Sequence, residues 1–261
     1  MPTARSGQLQ GLAQRVAEAL PPSVTDIVVT GSTSRGVADE LSDVELLVIA
    51  DELPRELPLA DIDTWSPPDA PIRWHGGFVD EEFVELIWWP PAFAEERVAR
   101  IAAAEIVDHA RLRTAEALVN GICLRGDAHA RWLAQLADYP DGLADKIVED
   151  AAAAWTEPAR SDRALRRPGD ALMLAWRYLD GSEQILRIVF ALNREWEPGW
   201  KRLAQRVDPL AVRPERLAER IDVLGRSLDL AALRVLAAET LALAPDLPTV
   251  QRARRMLEEP L

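Results

Sequence analysis

Gly31-Ser32-Thr33-Ser34-Arg35-Gly36 and, after a short polar passage, Ser42-Asp43-Val44-Glu45-Leu46-Leu47-Val48-Ile49 form the stretch that decides the fold. The Val, Ile and Leu residues around Glu45 predict a strand over 44–49, buried on at least one face. Along a strand, residues i and i+2 share a face and lie about 6.5–7 Å apart. Asp43 and Glu45 are therefore expected side by side at one end of a sheet. Burying two negative charges is costly unless cations neutralise them. Hard oxygen ligands at this spacing suit one or two magnesium ions, which points to phosphoryl or nucleotidyl chemistry.

Working outward, Ile27-Val28-Val29 predicts a short buried strand that runs into the glycine-serine turn. Glycine at 31 lets the backbone bend sharply and approach a ligand closely. Backbone N–H groups of Gly31, Ser32 and Thr33 can face an anion there. The hydroxyls of Ser32 and Ser34 add donors, and the Arg35 guanidinium can clamp a phosphate oxygen. No Gly-Lys-Ser/Thr ends the turn, so it is not a Walker loop. Further on, Glu85 sits inside the apolar run 83–88, where an unpaired charge is expensive. It is the natural third ligand on an adjacent strand, whereas Glu81 and Glu82 read as solvated turn residues.

The 261 residues suit one large domain or two small ones, and 48% hydrophobic with 28% charged residues fits an ordinary globular chain. No apolar run approaches the roughly 18–20 residues of a membrane span, and the N-terminus lacks the apolar core of a signal peptide. A single cysteine, Cys123, excludes an internal disulfide framework and fits a reducing cytosol, so a cytoplasmic protein is expected. The formal net charge of −13 repels phosphate backbones, making nucleic acid an unfavoured partner and a cationic small substrate a favoured one.

The order of elements predicts an α+β fold: a mixed sheet with flanking helices over 1–127, then an all-helical half over 128–261. A first helix carries Leu9, Leu12, Ala13, Val16 and Leu20 at helical spacing and stops at Pro21-Pro22. The segment 51–71, with five prolines, reads as an irregular surface excursion. Ile72-Arg73-Trp74 and 83–88 are expected to pair as a hairpin around His75-Gly76-Gly77. One mostly helical stretch is expected over 92–120, a strand over 121–124, and helices near 128–138, 141–156, 168–180, 182–194, 214–224, 229–243 and 247–258. Cys123 is expected in the core.

A glycine-serine turn, ten further residues, an acid pair at i and i+2 in an apolar strand and a later strand acid together resemble the polymerase-β-like nucleotidyltransferase superfamily. The resemblance covers about residues 10–125. It implies a nucleoside triphosphate held at Gly31 and Ser32, and a pair of Mg2+ ions held by Asp43, Glu45 and Glu85. The usual second aspartate is here Glu45, whose extra methylene shifts the metal geometry. In the C-terminal half, Asp138-Tyr139-Pro140 and the stretch 192–201 resemble the helical domain of bacterial small-molecule nucleotidyltransferases related to the antibiotic-modifying enzymes. This second resemblance implies that Arg194 and Lys201 contact phosphates, that Trp196 and Trp200 stack on a base or sugar or else are core, and that the helical half forms the acceptor pocket.

The expected activity is metal-dependent transfer of a nucleoside monophosphate, from ATP by preference, to a hydroxyl of a small, cationic, aminoglycoside-like acceptor, as in antibiotic resistance. Modification of a protein or tRNA, as in toxin–antitoxin systems, is one alternative; a nucleotide-binding regulator without turnover is another. Asp170 and Glu183 are alternative general bases. His75, His109 and His129 show no zinc-type spacing, and no Gly-x-Ser-x-Gly elbow supports a serine hydrolase.

Overall fold

A first helix, α1 (Ala4–Ala19), begins at Thr3, whose side chain accepts from the Ser6 backbone N–H at 3.1 Å. Its buried stripe of Leu9, Leu12, Ala13 and Val16 packs into one core with Ile27, Val29, Val44, Leu46, Val48, Val84 and Leu86 of the sheet. The computed structural model describes residues 2–68, 70–165 and 167–261. Its chain divides into two units: one runs up to Glu105 and resumes over Thr114–Asp138, and the other comprises Ile106–Arg113 and Tyr139–Leu261.

The sheet unit holds β1 (Asp26–Thr30), a single helical turn α2 (Gly31–Ser34), β2 (Val44–Ile49), β3 (Ala60–Trp65), β4 (Arg73–Val79) and β5 (Glu82–Trp89). Then follow α3 (Pro91–Ala102), α4 (His109–Val119), which straddles the division, β6 (Ile122–Arg125) and α5 (Ala128–Leu136). The six strands run in the order β3-β4-β5-β2-β1-β6, with β2 and β5 parallel and every other pair antiparallel. β1 and β2 are almost wholly buried, which explains their near-continuous apolar sequence. Arg125 of β6 donates to the backbone carbonyls of Leu20 and Pro21 beyond the end of α1, at 3.0 and 2.9 Å. The Asp26 carboxylate accepts from the Ala128 N–H at 2.8 Å, fixing the start of α5.

The helical unit is built from α6 (Leu143–Ala152), a 3-10 turn (Ala153–Trp155), α7 (Ala159–Ala164), α8 (Ala171–Leu192), α9 (Leu203–Val207), α10 (Leu217–Ser227), α11 (Leu230–Ala242) and α12 (Pro248–Glu258). Its long central helix α8 contacts α6, α10 and α11. A buried carboxylate, Asp162, bridges Arg177 at 3.1 Å and Arg234 at 2.8 Å. The Arg177 guanidinium also lies 4.3 Å over the Trp155 ring. Together these elements give the α+β architecture that the order of apolar patterns predicts.

Several local expectations are corrected. The glycine pair Gly76-Gly77 is not a turn: β4 runs through it, and the reversal is the two-residue turn Asp80-Glu81, with φ of +51° and +69° between the paired Val79 and Glu82. Glycine serves packing at that point, because a Cβ at Gly76 would sit 2.6 Å from Phe83 Cζ. The excursion over 51–71 contains β3, an exposed edge strand without apolar alternation. The helical stretch over 92–120 breaks into α3 and α4, with Ala104 at φ +55° in the break. Helices expected over 168–180 and 182–194 are one, since Gly181 packs closely against Trp155 and Leu233 instead of ending a helix. Cys123 is exposed, because β6 is an edge strand paired only with β1.

Candidate active site

Register places the acids. In the antiparallel β1/β2 pair, Thr30 stands opposite Glu45, and in the parallel β2/β5 pair, Glu45 stands beside Glu85. Neighbouring strands lie about 4.8 Å apart, so the two glutamates project from adjacent positions of one sheet face. Alternation along the strands assigns that face: Val44 and Leu46, Val84 and Leu86 are buried in the core under α1, while Glu45 and Glu85 between them point the other way and stay half-buried. Asp43, also half-buried, directly precedes β2.

Gly31 leads from β1 into α2 with φ +70°, a left-handed conformation that glycine adopts without steric cost. A Cβ built there would lie 2.3 Å from Glu45 Oε2 and 3.0 Å from Glu45 Cδ. The Glu45 carboxylate is thus aimed at the turn, and the missing side chain makes its room. Thr33, fully buried, donates from Oγ1 to the Asp43 carbonyl at 3.0 Å and so ties the turn to the entry of β2. Gln10 of α1 donates to the Thr33 carbonyl at 2.9 Å, and Ser34 Oγ to the Gly31 carbonyl at 3.1 Å. Ser32 is half-buried at the head of the turn, where first-turn N–H groups have no intrahelical acceptor.

Arg35 extends from the end of α2 to Glu116 on α4, with Nη1 at 3.1 and 3.3 Å from the two carboxylate oxygens. Glu116 is only 5% exposed and also accepts from Asn120 Nδ2 at 3.2 Å. A charged pair this sheltered fixes the guanidinium in place. Glu116 escapes sequence reading because it lies 81 residues from Arg35 in an ordinary helical pattern. Thr33 carried a signal, but in the sequence it counts only as one more turn residue.

For a divalent ion, the donor chemistry is suitable: Glu45 and Glu85 offer carboxylate oxygens from neighbouring strand positions. Among the described residues, no three His, Cys, Asp or Glu side chains are gathered as a ligand set. Magnesium commonly takes one or two carboxylates and completes its shell with substrate phosphates and water. The glutamate pair, with Asp43 next along the chain, fits that mode.

In the helical unit, Arg194 (φ +55°) donates to the Tyr139 carbonyl at 2.9 Å and pairs with Asp141 at 3.1 Å. Lys201 is exposed. Trp196 is buried, 4.8 Å from the Tyr139 ring, which makes it a packing residue. Trp200 is exposed and stacks on His109, with ring centroids 6.4 Å apart. Asp170 stands at the start of α8 and Glu183 within it, both half-buried. His109 Nδ1 lies 2.9 Å from Glu197 Oε2, and burial pushes the Glu197 carboxyl above its ordinary pKa against the opposing pull of His109. The two are 88 positions apart in the chain, so no local pattern announces the pair.

The family model described as "Nucleotidyltransferase domain" matches residues 9–107, a segment that contains the turn and all three acids. Among solved structures, the chain is similar to a nucleotidyltransferase-like protein from Exiguobacterium sibiricum 255-15. Identity is 15% and the TM-score 0.40, over 96% of this chain and 71% of that one. No curated protein matches the chain.

Proposed function

We propose that this chain, whose residues 9–107 match the nucleotidyltransferase domain model, is a polymerase-β-like enzyme that transfers a nucleoside monophosphate from ATP to a hydroxyl of a small acceptor and releases pyrophosphate. The observation that carries the reading is the placement of the Glu45 carboxylate in the space that Gly31 leaves open, with Glu85 in register beside it. That arrangement sets carboxylates against the turn where a polyphosphate would lie.

In this reading the Gly31–Ser32 turn holds the triphosphate through backbone N–H groups and the Ser32 hydroxyl. Thr33 keeps the turn in register with Asp43. Asp43, Glu45 and Glu85 would hold magnesium, which when bound offsets phosphate charge and makes the acceptor hydroxyl more acidic. The acceptor oxygen forms its bond to the α-phosphorus as the bond from that phosphorus to the α,β-bridging oxygen breaks. The hydroxyl proton passes to a carboxylate acting as general base. Arg35, already held by Glu116, serves the turn more as a brace than as a free clamp. The net charge of −13 favours a cationic acceptor.

Incubation with labelled ATP, magnesium and a panel of amino-sugar, protein and tRNA acceptors tests the reading. The expected result is labelled small-molecule product and pyrophosphate, both abolished in Asp43→Asn while its melting curve stays close to that of the wild type. Undiminished turnover in that variant overturns it.

A further inference from the structure

One row of register partners crosses five strands on the sheet face that bears the acids. Thr30 stands opposite Glu45, Glu45 beside Glu85, Glu85 opposite Gly76, and Gly76 opposite Asp63. Residues paired in this way share a face. Asp63, exposed on the edge strand β3, is thus two strands, or about 10 Å, beyond Glu85. Between the two acids the row carries no side chain, because residue 76 is glycine.

Aromatic pairs flank that gap on either side. Phe78 and Phe83 are register partners whose rings meet edge-on, with centroids 5.5 Å apart. Two residues further along β4 in the other direction, Trp74 is paired with Trp65, with ring centroids 4.6 Å apart. The Phe83 ring leans across the gap, its Cζ only 2.6 Å from where a Gly76 Cβ would be. Phe78 is 44% and Phe83 41% exposed, whereas Val84 and Leu86 on the opposite face are fully buried. β4 packs chiefly against β3 and β5, so this aromatic surface stays open beside the acids.

Bond geometry decides which reactant meets this slot. In an in-line displacement the attacking oxygen enters opposite the leaving one. With the polyphosphate at the Gly31 turn, on the β1 side of Glu45, the acceptor arrives from the other side of the acids, over Glu85 and Gly76. Ring faces attract cations, and Asp63 supplies a carboxylate at the outer end. Two hydrogen bonds of about 2.8 Å, taken from the 10 Å or so between the acid positions, leave roughly 4 Å, the span of one six-membered ring.

We propose that the slot over Gly76 is the acceptor subsite and takes a single-ring alcohol bearing an ammonium group, with its hydroxyl toward Glu85, its ring on Phe83 and its ammonium toward Asp63. Only the direction of approach rests on the proposed transfer reaction. Every residue of the slot belongs to the sheet unit.

A ligand-observed NMR titration of the full chain with D-glucosamine, in magnesium and the non-transferable α,β-methylene ATP, tests the assignment without turnover. Saturable binding is expected, with N-acetylglucosamine, which has no ammonium, at least about fivefold weaker. Phe83→Ala should weaken glucosamine at least about fivefold and Asp63→Asn about threefold, whereas Phe83→Tyr should keep wild-type affinity. Both positions are exposed, so melting temperatures and affinity for the ATP analogue should not change. Absence of saturable binding, equal affinity for the acetylated sugar, or full glucosamine affinity in Phe83→Ala would each overturn the proposal. So would a loss confined to the ATP analogue, which would make Phe83 a platform for the base. A protein that binds glucosamine through Phe83 and transfers nothing refutes the transfer reading and leaves the slot standing; transfer to glucosamine with affinity unmoved in Phe83→Ala does the reverse.

Discussion

The Glu45 carboxylate occupies the volume that any side chain at position 31 would need, with Oε2 only 2.3 Å from where a Gly31 Cβ would be. Turn and acid are therefore one construction: the bend is open because residue 31 is glycine, and Glu45 reaches it because nothing is in the way. Gly31→Ala must either push Glu45 out or change a backbone now at φ +70°. The strain is expected to cost about 1–3 kcal/mol of stability. Displacement of the carboxylate should lower pyrophosphate release at least about a hundredfold. Urea titration and a coupled pyrophosphate assay read the two effects separately.

Thr33 joins the same construction from the other side, donating to the Asp43 carbonyl at 3.0 Å. Thr33→Val keeps the shape and removes the donor, leaving that carbonyl without this partner at a cost of about 1 kcal/mol. Turnover should fall about tenfold with the fold intact, and Thr33→Ser should restore it. An isosteric variant as active as the wild type would show that the tether has no part in aligning Asp43.

Stability of the helical unit rests in part on Asp162, 6% exposed as a side chain and bridging Arg177 and Arg234. Arg177 keeps Asp180 at 3.3 Å, whereas Arg234 keeps only the backbone carbonyls of Met256 and Glu259, so removing the bridging carboxylate costs about 3 kcal/mol. Asp162→Ala is expected to lower the urea midpoint accordingly. A midpoint within experimental error of the wild type would mean that the arginines find other partners.

Glu197 predicts a pH dependence. Burial, its dominant influence, raises the folded-state pKa above the unfolded value, so the folded state holds its proton more tightly. The associated stability is fully present below the unfolded carboxylate pKa and is lost as pH rises through the elevated folded one. Glu197→Gln removes this titration. Across a pH series from acid to neutral, wild-type melting temperature should therefore decline relative to the variant's; parallel curves would contradict the assignment.

What the sequence made legible was whatever depends on local periodicity. The apolar run after Glu45 located β2 to the residue, and the structure sets the Glu45 carboxylate against the Gly31 bend. Glycine was the main source of error, because its two uses look alike in one dimension. Gly76 and Gly181 are places where another side chain presses on the backbone, while in the sequence a glycine inside an apolar pattern looks like a break. Pairings across long stretches of chain, Arg35 with Glu116 or His109 with Glu197, leave no periodic trace, since an acid on an amphipathic helix looks the same whether its partner is water or a distant cation. Cys123 misled because an apolar run at a sheet edge resembles one at its centre.

Helix α4 begins in one unit and finishes in the other, so the polypeptide visits the helical unit at Ile106–Arg113, goes back to supply Thr114–Asp138 to the sheet unit, and then departs for good. Neither unit is a contiguous stretch that a single protease nick or stop codon could liberate whole. A fragment ending at Glu105 forfeits β6 and α5, and one starting at Tyr139 forfeits His109, the neighbour of Glu197. Interleaving of this kind ties the folding of each unit to continuity of the other's chain.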